Sequence, residues 1–105
     1  MLEEITINGK KHPVRFGFAA LSDFTRAAGL SLNDLNNLGE NMDIGAAITL
    51  SWASLKHGYR RANIDFDLSV DDVADLFDED ADAFPKMMQA FGESQAQNKN
   101  KKPGK

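Results

Sequence analysis

The segment 4–18, EITINGKKHPVRFGF, is the only strand-like stretch in the chain, and it constrains everything else. Ile5 and Ile7 alternate with Glu4, Thr6 and Asn8, the period of a half-buried strand. Asn8-Gly9 follows, the pair best suited to a two-residue type I′ turn, because both central positions need positive φ. Val14 and Phe16 continue the alternation on the return strand. Pro13 has no N–H to give a ladder, which places that strand at a sheet edge. One two-stranded hairpin is marginal in water and must lean on other elements. All remaining periodic segments are helical, so the expected class is α+β, mainly α-helical: an N-terminal hairpin covered by about four to five helices.

The helix signals are clear. Phe18–Ala28 places Leu21, Phe24, Thr25 and Ala28 at helical spacing, with Gly29 where a left-handed C-cap belongs. Ser31 with Asp34 predicts a short capped helix ending at Gly39. Asp43 caps the longest helix, Ile44–Arg61, whose stripe is Ile44, Ile48, Ser51, Trp52, Leu55 and Tyr59. Ser69 and Asp72 open another, with Val70, Val73, Leu76 and Phe77 on one face. A last helix runs from Asp82 to Ser94, presenting Phe84, Met87, Met88 and Phe91; Pro85 falls in its first turn, where amides have no intrahelical acceptor. Residues 1–94 read as one domain and 95–105, ending NKNKKPGK, as a disordered Lys-rich tail.

Charge narrows the function classes. Four of the 12 basic residues lie in that tail, leaving 8 against 16 acidic ones, a body of net charge −8. Such a body disfavours nucleic-acid binding through phosphate neutralisation. With no cysteine, disulfides, thiolate metal sites and thiol nucleophiles are excluded. No apolar run approaches the roughly 20 residues of a membrane span, and the acidic opening MLEEITING is unlike a secretory signal.

Nine of the sixteen acids crowd into residues 65–82, DFDLSVDDVADLFDEDAD. A calcium loop of the EF-hand type requires Gly at its sixth and Glu at its twelfth position. Counted from Asp65 these are Val70 and Leu76; counted from Asp78 they are Ala83 and Gln89. Both registers fail twice, so the acids read as a solvated face and as favourable charges at helix starts. Catalysis has little to work with. His12 and His57 have no thiol to activate, no serine stands at a strand-to-helix turn, and no glycine-rich phosphate loop is present. We expect no catalytic residues, no cofactor and no metal. The apolar faces carry more information. Trp52 and Tyr59 belong to the long-helix stripe, and Phe84, Met87, Met88 and Phe91 form an adaptable Met-rich face. These six are the candidate partner-binding residues, with core packing as the competing role.

The layout resembles a known family. EITINGKKHPVRFGFAAL leads into SDFTRAAGLSL, a central helix ends LKHGYR, and FDLSVDDVADLFDED precedes a final helix. Over residues 3–92 this order is similar to the tail assembly chaperones of long-tailed bacteriophages and prophages. LKHGYR followed by DLSVDDVADLFDED is its most specific piece, while Pro85 and the Lys-rich tail depart from it. The resemblance implies a non-enzymatic protein of the host bacterial cytoplasm, absent from the finished virion. Its implied partners are the tape measure protein, kept soluble, and tail tube subunits, with homo-oligomers possible and neither nucleic acid nor membrane as partner. It also implies a programmed −1 frameshift near the stop codon, for which Gly104-Lys105 could supply the slippery bases. The rival readings are an acidic DNA mimic acting as an inhibitor, and a divalent-metal sensor.

Overall fold

The computed structural model describes residues 3–31, 34 and 42–100, the last six by backbone alone. Strands β1 (Glu3–Ile7) and β2 (Lys10–Val14) form a two-stranded antiparallel sheet. Asn8 and Gly9 join them with φ of 55° and 81°, the two positive values of a type I′ turn. The register runs from Ile7↔Lys10 to Glu3↔Val14. A two-residue turn makes its flanking pair a hydrogen-bonded one, and the pairs then alternate. Glu4↔Pro13 is therefore a non-hydrogen-bonded pair, where a missing N–H costs the ladder nothing.

Four helices follow among the described residues: α1 (Phe18–Ala28), α2 (Ile44–Arg61), α3 (Val70–Glu79) and α4 (Ala83–Asn100). Their ends carry the expected chemistry. Gly29 takes φ 71°, and the Leu30 N–H reaches back to the Thr25 carbonyl at 2.9 Å. Asp43 Oδ1 accepts from the Ala46 N–H at 2.8 Å, and Ser69 and Asp72 form a reciprocal capping box. Ser31 and Asp34 exchange the same pair of bonds, at 2.9 and 3.2 Å. The remainder of the short helix expected up to Gly39 lies outside the described residues. At the end of α2, Asn63 adopts φ 62°, and the Ile64 N–H bonds to the Tyr59 carbonyl while the Asn63 N–H bonds to that of Arg60. This is a Schellman closure with Asn in the place of Gly. The backbone of α4 continues to Asn100, past the expected end at Ser94; residues 101–105 lie outside the described residues.

Helix α2 is the centre of the molecule. One side packs on the hairpin in a cluster that includes Ile5, Ile7, Val14, Leu55, Tyr59, Val73, Phe77 and Met87. Another side packs on α1 through Ala20, Phe24, Leu50 and Ala53. The sequence stripe for α2 is thus too narrow at one end and misplaced at the other. Ala47, Leu50, Ala53, Ser54 and Gly58 are all buried, whereas Ile44 is 70% exposed. Small residues let two layers approach one helix, and hydropathy gives them little weight. Ser51 and Ser54 can be buried because each hydroxyl donates to the carbonyl four residues back, at 2.9 Å.

Gly58 has a specific reason. A Cβ there would overlap the Pro13 carbonyl and lie 2.5 Å from Val14 Cα. Beside this contact the Arg15 N–H donates to the Ser54 carbonyl at 3.0 Å. The outer edge of β2 is therefore covered by α2. The turn is fixed separately: the Asn8 N–H donates to Asp80 Oδ2 at 2.7 Å, and Asn8 Nδ2 donates to Glu79 Oε1 at 3.0 Å. Two members of the acidic stretch thus hold the hairpin tip against the end of α3.

Candidate functional site

The six candidate partner-binding residues separate by depth. Met87 is fully buried and Tyr59 is 8% exposed, both in the hairpin-side cluster. They belong to the core and offer no surface in this conformation. The reason is geometric: Met87 lies four residues after buried Ala83, on the line of α4 that faces the hairpin. Phe84, Met88 and Trp52 pack partly buried against that cluster, and Phe91 packs against the α1-side cluster.

Trp52 contacts both clusters and is locked twice. Its Nε1–H donates to the Leu68 carbonyl at 3.0 Å, and Lys56 Nζ lies 5.1 Å from its ring centroid. Phe91 meets Phe16 edge-to-face at 5.6 Å. Two residues beyond Phe16, Phe18 is 92% exposed at the first position of α1. Phe16 and Phe18 were not among the sequence candidates. Phe16 read as a continuation of β2, and Phe18 as the first residue of an apolar helix. Periodicity carries no signal for it, since Phe18 lies three residues before Leu21 on the expected face, whereas the line that α1 buries runs through Ala20 and Phe24. The half-buried Phe16, Trp52, Phe84, Met88 and Phe91, together with exposed Phe18, are the candidate apolar contact residues.

Neither histidine is free. His57 Nε2 lies 2.7 Å from Asp23 Oδ2, which also takes Lys56 Nζ at 3.1 Å, while Arg26 Nη1 reaches Asp23 Oδ1 at 3.3 Å. The hydrogen bond from His57, aided by Lys56, holds the Asp23 carboxyl below its usual range despite partial burial. Chemically the pair resembles the orienting half of a hydrolase site, but no hydroxyl is hydrogen-bonded to His57 among the described residues. What the arrangement does is tie α1 to α2. On the other side of α2, His12 Nδ1 lies 2.6 Å from the Tyr59 hydroxyl, both residues buried. Burial, and then the nearby Lys10, lowers the His12 pKa, so the ring is neutral and Tyr59 O–H can donate to it.

A pH dependence follows. The unfolded chain protonates His12 near 6.5, whereas the folded chain does so only at lower pH. Below 6.5 the unfolded state binds more protons, so stability falls as pH drops. We expect the melting temperature to be lower at about pH 5.5 than at about pH 7.5, and His12→Gln to flatten that slope. An unchanged slope in the variant would remove His12 as its source.

No three His, Asp or Glu side chains among the described residues are grouped as a metal site would need. No helix among them is long and apolar enough to cross a membrane. Compared with protein-family models, curated proteins and solved structures, the chain has no significant match.

Proposed function

We propose that this chain is a non-enzymatic tail assembly chaperone of a long-tailed phage or prophage. It would hold the tape measure protein soluble and help bring in tail tube subunits, in the host cytoplasm. The sequence resemblance over residues 3–92 motivates the reading. The observation that carries it is the apolar surface: Phe18 at 92% exposure beyond the half-buried Phe16–Phe91 pair. A long amphipathic helical client needs an apolar strip to lie on. It also needs a charged body around that strip to stay dispersed, and the exposed acids of α3, including Asp71, Asp75 and Asp78, supply it.

The test is capture of a tape measure fragment co-expressed with the chain. Phe18→Asp and Met88→Asp, singly and together, are expected to weaken capture at least about tenfold, as for anchor residues of an interface. Far-ultraviolet circular dichroism should keep its helical form. Full capture by the folded double variant would refute the reading. The same exposed acids favour a second reading, an acidic mimic of DNA that occupies a basic protein. That reading requires capture to depend on salt and on Asp71 and Asp75, and to be indifferent to Phe18.

A further inference from the structure

We propose that the outer edge of β1 is a strand-addition site for an extended, basic segment of a partner protein. This inference is independent of the chaperone reading. In the observed register, Ile7↔Lys10, Ile5↔His12 and Glu3↔Val14 are the hydrogen-bonded pairs. The peptide groups of Glu4 and Thr6 therefore point away from β2. No hydrogen bond among the described residues uses them. The two edges of the sheet differ in this respect, because β2 is sealed against α2 by the Pro13–Gly58 contact and the Arg15–Ser54 bond. At the turn end the open edge stops at Ile7, since the Asn8 N–H is already taken by Asp80. The available length is that of one short strand.

A shallow groove of about 410 Å³ runs between this edge and α4. Glu3, Glu4, Glu93, Lys86, Gln89 and Ile5 line it. Its charge is three carboxylates against one ammonium, and Glu3 Oε1 is buried with no hydrogen-bond partner. A second copy of the chain is a poor occupant, because antiparallel pairing of two β1 edges through Glu4 and Thr6 sets Glu4 opposite Thr6 and Glu3 opposite Ile7 of the other copy, which brings no cation to the groove. Charged edges are a recognised guard against self-pairing. An incoming strand with Lys or Arg at alternate positions, on the face that β1 shares with α4, meets both requirements: its backbone pairs with Glu4 and Thr6 while its cations meet Glu3 and Glu93.

Isotope-labelled protein would be titrated with acetylated Lys-Thr-Lys-Val-Lys-Thr-Lys and with its twin carrying Glu for Lys, followed by amide shifts. Saturable shifts are expected at Glu4 and Thr6 and along residues 86–93. The Glu twin should bind about tenfold more weakly, the product of a few cross-strand charge pairs reversed in sign. Glu93→Lys should weaken the Lys peptide to a similar degree. Thr6→Pro, which removes an outward N–H, should abolish binding; thermal melting checks that both variants fold. The proposal fails if no saturable shift appears at Glu4 and Thr6, if both peptides bind alike, or if Thr6→Pro binds as the parent does. It also fails if the protein sediments as a dimer that Thr6→Pro dissociates, which would make a second copy the occupant.

Discussion

Gly58→Ala is expected to destabilise the protein by about 3 kcal/mol or more, at the upper end of overpacking substitutions. The sign is opposite to that of an ordinary helix, where the same change gains about 1 kcal/mol from backbone entropy. The reason is the seat of the hairpin. The new Cβ would meet the Pro13 carbonyl and Val14 Cα, and both are backbone, so no rotamer change relieves the overlap. Separating the elements would break the Arg15–Ser54 hydrogen bond and open the packing of Val14 against Leu55 and Tyr59. A loss of that size should lower the melting temperature by about 15 °C in a domain of this length. Gly92→Ala is the control. It lies in α4 with nothing within 4 Å of the added carbon, so it should be neutral or slightly stabilising. If Gly58→Ala melts at or above the parent temperature, the hairpin does not rest on α2 as described.

Met87→Asp should prevent folding, while Met88→Asp should leave a folded protein. The two side chains are neighbours on one helix and share composition, so the contrast isolates depth. Met87 is fully buried among Ile5, Ile7, Val73 and Phe77, with no cation in that cluster to pair with a carboxylate. Losing the Met side chain costs about 2–5 kcal/mol. Burying an unpaired charge adds several more, and the sum approaches the whole stability of a small domain, about 5–15 kcal/mol. Met88 is only partly buried, so its carboxylate can reach water, and a cost of about 1–2 kcal/mol is expected. Denaturant titration of both variants reads this directly. A Met87→Asp protein with a cooperative transition near the parent midpoint would show that this face of α4 is not core.

Local signals in the chain were sufficient for the elements and most of their ends, the exception being α4, which runs past Ser94 to Asn100. Asn8-Gly9 turns with two positive φ values, Gly29 closes α1, Asp43 opens α2, and Ser69 with Asp72 boxes the start of α3. Each of these is chemistry between residues at most a few positions apart, which a linear sequence contains in full. The candidate surface was less legible. Periodicity identifies an apolar face but not which line on that face is covered, so Met87 and Met88 look alike until the hairpin is placed over one of them. Phe18 begins an apolar helix in line with Leu21 and Thr25, yet the line that α1 buries runs through Ala20 and Phe24, and Phe18 is exposed.

The sequence by itself determined the hairpin, its turn, the positions of the four described helices and the absence of cysteine chemistry, because those depend on backbone preference, capping and composition. Only the tertiary structure decided which small residues of α2 take the hairpin and which take α1. The same holds for Glu79 and Asp80, which serve as anchors for a turn some seventy residues earlier in the chain. It holds also for the two edges of one sheet, of which one is sealed and the other open. These are contacts between distant segments, set by how layers fit at van der Waals distance. A glycine that reads as a weakness in a helix becomes, once the strand is laid across it, the residue that lets the two backbones touch.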